Sequence, residues 1–275
     1  MTHGRQLDPQ DLNGHTRPKL NPFLRWAGGK RQLKKFLLEL LPKDIGDRTY
    51  REPFLGGGSL FFALRPQKAA LSDANEHLIK CYEFVRDQPE LVARHLKRFA
   101  SMDTEAYYYR ARDTYNGAPF SAAQAARFIY LNKTCFNGIF RVNSKGKFNV
   151  PYGRKESPAI PDAAELNDIA MALKNASLHA SSFNKALEDA NGRDFIYLDP
   201  PYPPLNGTAY FTHYTSERFS TRDQSDLADR GLVCLGNRLS NETDQQLIVQ
   251  TVARASRCRA LAQLSACCAS GGRVD

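Results

Sequence analysis

From Phe23 onward, short apolar runs ending in glycine or an acid alternate with longer stretches of helical spacing, which predicts a sheet covered by helices. Residues 49–56 and 68–73 are the first two expected strands. Ser59 to Leu64 lies between them and supplies the helix that a parallel crossover requires. Helical spacing then runs over 76–98 and 103–115, and Ala122 to Leu131 predicts a further helix with Ser121 as its N-cap. Ile139 to Asn143 and Phe148 to Val150 are expected as two short strands about a turn at Lys145-Gly146, forming a basic, exposed hairpin. Strand character returns at 178–181 and 194–199. The fold class expected is therefore α/β, with a sheet domain over 22–79 and 161–275 and an insertion over 80–160. No internal repeat or low-complexity tract interrupts the pattern.

At 275 residues and 42% hydrophobic content, the chain can bury one core and an inserted subdomain without disulfide or metal support. Lys and Arg number 38 against 29 acids, a net charge of +9, which favours a polyanionic partner; general basic solvation is the plainer alternative. The six cysteines are scattered, with neither C-x-x-C nor paired His–Cys spacing, so a reduced cytosol and no metal are expected. Residues 1–21 lack the apolar core of a signal peptide and read as a disordered leader. No later stretch approaches the ~18 apolar residues of a membrane span.

Asp199-Pro200-Pro201-Tyr202 directly follows the buried-strand pattern Phe195 to Leu198. It offers a carboxylate acceptor, a backbone carbonyl freed by proline geometry and an aromatic plate, the parts needed to hold an exocyclic amino group for attack on an electrophile. Pro-Pro after a strand is equally a strand terminator. Pro53-Phe54-Leu55-Gly56-Gly57-Gly58-Ser59 sits between a strand and a helix, where glycines let backbone approach a ligand and the helix N-terminus presents free N–H groups. No G-K-[ST] follows Gly58, which excludes a phosphate loop. Asp73 ends the next strand, the place where an acid accepts hydrogen bonds from a ribose in such α/β units. A nucleoside-bearing cofactor is one reading of this pair; a tight turn with a helix cap is the other. Trp26, the only tryptophan, stands in Trp26-Ala27-Gly28-Gly29-Lys30, flanked by Arg25, Lys30 and Arg31. The block Asn132 to Asn143 interleaves aromatics, amides and cations, a mixture suited to stacking on bases, reading their edges and meeting phosphates, or to blunting exposed strand edges.

In this order, the four blocks resemble the Dam-type (D12 class, group alpha) DNA adenine-N6 methyltransferases. The likeness runs from about Phe23 to Asn241 and rests on Phe23 to Lys30, Glu52 to Ser59, Asn137 to Gly153 and Asp199 to Tyr202, with Phe211 to Tyr214 and Asp223-Gln224 adding to it. It implies a Rossmann-like methyltransferase sheet with the insertion as target-recognition domain. The activity implied is site-specific, adenine-specific DNA methylation: methyl transfer from S-adenosylmethionine to N6 of an adenine flipped out of double-stranded DNA. By resemblance, Asp199, Pro200 and Tyr202 are catalytic. Trp26, Lys30, Phe54, Gly56, Gly58, Asp73, Phe183 and Asp199 line the cofactor site, with Asp73 on the ribose hydroxyls and Phe183 against the cofactor adenine. Arg25, Phe136, Asn137, Ile139, Arg141, Asn143 and Pro151 face DNA, with Arg141 reading a guanine, Phe136 wedging into the stack, and Ile139 and Pro151 meeting thymine methyls. GATC is the implied site, and a cytoplasmic monomer without a metal is expected, acting alone in replication, phage or restriction–modification settings. Adenine rather than cytosine N4 follows from the likeness alone, because the tetrapeptide chemistry suits either amino group.

After Asn241 the likeness fades. A final sheet strand of the family is expected to be missing, which would expose an edge. A DNA-binding but inactive copy, and an amino-methyltransferase of another substrate, are the competing readings. The second covers RNA or protein substrates, of which the protein glutamine enzymes typically carry Asn where Asp199 stands.

Overall fold

A computed structural model describes residues 20–26, 37–38, 41–42 and 44–200. Among them, four parallel strands form one sheet in the order β3-β2-β1-β4: β1 (Thr49–Glu52), β2 (Ala69–Asp73), β3 (Ala176–Ala180) and β4 (Asp194–Ile196). The crossover helix α1 (Ser59–Leu64) joins β1 to β2. Five helices separate β2 from β3: α2 (Glu76–Asp87), α3 (Pro89–Ser101), α4 (Glu105–Tyr115), α5 (Ala122–Thr134) and α6 (Ala163–Leu173). The short α7 (Phe183–Ala186) leads into β4. This is the α/β architecture that the alternation of apolar runs and helical spacing predicts.

The boundaries shift for local reasons. β1 stops at Glu52, short of residue 56, because Pro53 has no N–H to donate, although Leu55 N–H still reaches the Ser72 carbonyl at 2.9 Å. The helix expected over 76–98 is two, because Pro89 starts a new one at its first position. Asn75 caps α2 and Thr104 caps α4, each side-chain oxygen accepting a backbone N–H from three residues on. Ser121 caps α5 as expected, and that helix continues beyond Leu131 to Thr134. α5 is buried on nearly every face, with Ala122, Ala125 and Ala126 allowing close approach of its neighbours. α2 bridges the layers: it packs on β2 and β3 and also on α5 and α6, so the 79/80 boundary falls inside a helix that rests on the sheet.

The hairpin is the clearest departure. Its arms form no strands, only an isolated antiparallel bridge between Val142 and Phe148, and it is not wholly exposed, since Phe140, Phe148 and Val150 are buried. Across the bridge, Asn143 N–H donates to the Lys147 carbonyl at 2.9 Å and Asn149 N–H to the Arg141 carbonyl at 3.2 Å, so the backbone groups of Phe148 face away from the other arm. On that outer edge the Asn116 carboxamide accepts the Phe148 N–H at 2.7 Å and donates to the Phe148 carbonyl at 3.0 Å, tying the hairpin to the end of α4. Phe148 meanwhile packs against Phe140 and Tyr115, which ties the loop to the helical core.

Candidate active site

Parallel pairing of β1 with β4, in the register Arg51 to Ile196, sets the turn after β1 beside the segment leaving β4. The connection from β1 runs to β2 on one side while β4 joins on the other. A crevice outside the carboxyl ends of strands that diverge in this way is where open α/β sheets take ligands. Asp199, half-buried, and Pro200, buried, end the described chain at that crevice. Tyr202 and Lys30 lie outside the described residues, as do residues 1–19, Phe211 to Tyr214, Asp223-Gln224 and everything after Asn241.

The glycine turn is held by the acid at the end of β2. Gly56 N–H donates to Asp73 Oδ2 at 3.0 Å and Asn75 N–H to Asp73 Oδ1 at 2.9 Å. Burial raises the Asp73 carboxyl to about 6, against the lowering effect of these two N–H donors. Gly56 (φ +46°) and Gly58 (φ +65°) are both left-handed. Gly58 is packed inward: a Cβ there would lie 3.1 Å from Phe62 and 3.3 Å from the Tyr82 hydroxyl. Gly56 instead faces Trp26, and Tyr82 O–H donates to its carbonyl at 3.1 Å. Phe54 and Phe183 stack on each other with centroids 5.6 Å apart, in a small cluster with Leu187, Ile196 and Leu198.

Trp26 joins this crevice to the loop after α5. Its ring stacks on Phe140 (5.6 Å, 19°) and on Phe128 (6.3 Å, 29°). The loop itself closes through Phe136 N–H to the Pro151 carbonyl (2.9 Å) and Gly153 N–H to the Thr134 carbonyl (2.8 Å). Phe136 is 52% exposed, a large apolar side chain in water beside the exposed Asn137 (φ +55°), Arg25 and Pro151. Ile139 is half-buried. Arg141 is held from its own loop: Nε donates to Asn149 Oδ1 at 2.9 Å and Nη2 to the Asn149 carbonyl at 3.5 Å. That engagement leaves the end-on pair of N–H groups for a planar acceptor. Asn143 faces its own turn, its Oδ1 accepting the N–H groups of Lys145 and Lys147 at 2.9 and 3.0 Å.

Three residues without a role in the sequence reading organise this site. Glu52, at the end of β1, is 2% exposed and accepts the Tyr50 hydroxyl at 2.7 Å. Burial drives its carboxyl up to about 8; the Tyr50 hydrogen bond opposes this, and the charges of Asp199 and Asp73 add to it. Asn149 holds Arg141, which the observed Val142–Phe148 bridge sets opposite it, one residue out of the register that a turn at Lys145-Gly146 predicts. Asn132, buried in the last turn of α5, bonds to the Arg25 backbone, and nothing in the linear pattern announces a contact across 107 positions.

Among the described residues no cluster of His, Cys, Asp and Glu is suited to a metal, and no helix is long and apolar enough to cross a membrane. The family described as D12 class N6 adenine-specific DNA methyltransferase matches residues 26–248. A Type II methyltransferase of Lactococcus lactis subsp. cremoris is 42% identical over 216 residues, covering 76% of this chain and 75% of that protein. Another, from Methanocaldococcus jannaschii, is 40% identical over 227 residues, covering 76% and 78%. A DNA adenine methylase of Escherichia coli is 35% identical over 219 residues, covering 78% and 77%.

Proposed function

The chain belongs to the D12 class of N6 adenine-specific DNA methyltransferases, and on that premise we propose that it methylates N6 of an adenine flipped out of GATC in double-stranded DNA, using S-adenosylmethionine. The observation that supports this reading is the β1–β4 pairing, which sets the segment leaving β4 beside the turn after β1, where an amino-group clamp at Asp199-Pro200 and a cofactor cradle at the glycine turn would share one crevice. Residues 80–160 act as the target-recognition block, and the protein works as a monomer.

The residues present fit such a cofactor. Each Asp73 oxygen takes one backbone N–H and keeps a lone pair for a ribose hydroxyl, while Gly56 leaves its side-chain space to Trp26, which walls the crevice. When bound, S-adenosylmethionine supplies an electrophilic methyl carbon on a sulfonium.

Asp199 and the Pro200 carbonyl accept the two N6 hydrogens, turning the nitrogen lone pair toward that carbon. Tyr202, with Lys30 beside the cofactor, completes the set as a stacking plate under the base. Positioning of this kind supplies up to ~7–11 kcal/mol of a barrier. No dedicated base is needed, because the methylated amino cation sheds its proton readily. Flipping the base costs a few kcal/mol, which exposed Phe136 offsets by wedging into the vacated stack beside Asn137. Arg141 reads guanine through its end-on donors, Arg25 reaches a flanking guanine, Ile139 and Pro151 meet thymine methyls, and Asn143 approaches the backbone.

The test is transfer of labelled methyl groups from S-adenosylmethionine to duplexes with and without GATC. Incorporation at adenine N6 confined to GATC is expected. No incorporation into any DNA by soluble, folded protein would overturn the proposal, and equal incorporation into both duplexes would overturn the site.

A further inference from the structure

We propose that Asn132 is a positioning residue that couples DNA on the reading loop to cofactor beneath Trp26, an inference that rests on the function proposed above. Asn132 is 2% exposed, and its carboxamide makes three hydrogen bonds. Its Oδ1 accepts the Arg25 N–H at 2.8 Å, and its Nδ2 donates to the carbonyls of Arg25 (2.8 Å) and Gly138 (3.4 Å). One side chain thus serves both backbone groups of Arg25, as a strand partner would, and binds that segment to the turn Phe136–Gly138.

Steric contact reinforces the polar link. Gly138 (φ +65°) lies so close to Arg25 that a Cβ on it would stand 2.4 Å from Arg25 Cδ and 3.1 Å from its Cβ. One residue beyond Arg25, Trp26 presses on Gly56 with one side and stacks on Phe140 with another; Phe140 is two residues beyond Gly138. Phe136, the exposed wedge, opens the same turn.

Displacement of the turn by DNA therefore moves Arg25 and Trp26 with it or breaks buried hydrogen bonds, which are costly to leave unmade. The same link runs in reverse: cofactor packed beneath Trp26 stiffens the turn that meets DNA. Linkage makes the two effects equal.

The test uses the full chain and the unreactive product S-adenosylhomocysteine, whose dissociation constant is measured by calorimetry with and without saturating GATC duplex. In the wild type, DNA is expected to tighten binding about fivefold or more. Asn132→Ala and Gly138→Ala should bring that ratio toward one while each ligand still binds alone, an outcome that general loss of stability does not produce. Circular dichroism and thermal melts establish folding; should Asn132→Ala not fold, Gly138→Ala decides, because it leaves the carboxamide in place. A folded variant with the wild-type ratio, or a wild-type ratio of one, overturns the coupling but leaves the proposed function standing. A wild-type protein that binds neither ligand overturns both.

Discussion

The indole of Trp26 occupies the space that a side chain at Gly56 would need: a Cβ there would lie 2.7 Å from Trp26 Cδ1 and 3.2 Å from Nε1. Gly56→Ala must therefore move the indole, and it also places a Cβ on a backbone at φ +46°. The expected stability loss is about 1–3 kcal/mol. Cofactor affinity should fall at least about tenfold, equivalent to ~1.4 kcal/mol. Melting and titration calorimetry with S-adenosylhomocysteine measure both, and unchanged affinity would show that Trp26 does not wall the cofactor.

Asp199→Ala is expected to abolish methyl transfer while leaving DNA binding and its salt dependence intact, because binding rests on phosphate contacts made elsewhere. Single-turnover assays beside filter binding at two ionic strengths read the two properties apart. Residual transfer within tenfold of wild type, by about the ~1.4 kcal/mol that factor represents, would exclude Asp199 as an amino-group acceptor.

Arg141 and Asn149 form a reader and its support. Arg141→Ala should relax sequence preference by about 1–3 kcal/mol at one base pair with little change in non-specific affinity. Asn149→Ala should produce a smaller loss at the same base pair, since the guanidinium remains but is no longer aimed. Competition binding across single-base variants of GATC measures both; loss spread evenly over all sequences would contradict guanine reading.

Glu52 makes stability depend on pH. Its folded value of about 8 lies above the ordinary 4.5, so between the two the folded protein holds a proton that the unfolded chain has released. The contribution is present below the unfolded value and is lost as pH rises through the folded one, by up to ~1.4 kcal/mol per pH unit. Asp73, raised to about 6, acts with the same sign over a narrower window. Glu52→Gln keeps acceptor and shape without the ionisation, so urea unfolding should give a flatter profile and greater stability at the alkaline end. Parallel profiles for the two proteins would mean that Glu52 is already ionised in the fold.

Asp194 supports the pairing on which the crevice depends. It is 2% exposed and accepts the Arg51 Nε–H at 2.7 Å, while Arg51 also meets the exposed Asp189 at 2.8 Å. Asp194→Ala should cost about 3–5 kcal/mol, because Arg51 would stay buried with solvent-facing Asp189 as its ionic partner and the Ala186 carbonyl at 3.4 Å. Asp189→Ala should cost far less, as is usual for a partner in water. Chemical denaturation of both variants measures the contrast, and equal losses would refute it.

Much of this protein is legible along the chain because the determining forces are local. Hydrophobic alternation and the Ser121 cap act within a few residues, so α1, α4, α5 and the parallel strands follow from sequence to within a few positions, whereas the break at Pro89 and the helix Ala163–Leu173 lie outside that pattern. The glycine turn, Asp73 and the Asp199 motif are likewise visible, since backbone freedom and an acid at a strand end are short-range requirements. Tertiary structure alone decided the rest. Asn116 holds the outer edge of the hairpin through Phe148 from another element, Asn132 joins Arg25 to Gly138, and Trp26 rests on Gly56 and Phe140 together. Glu52 becomes a high-pKa acid because packing removes it from water near two other carboxylates. Each of these depends on which distant groups share a desolvated space, and linear order does not carry that information.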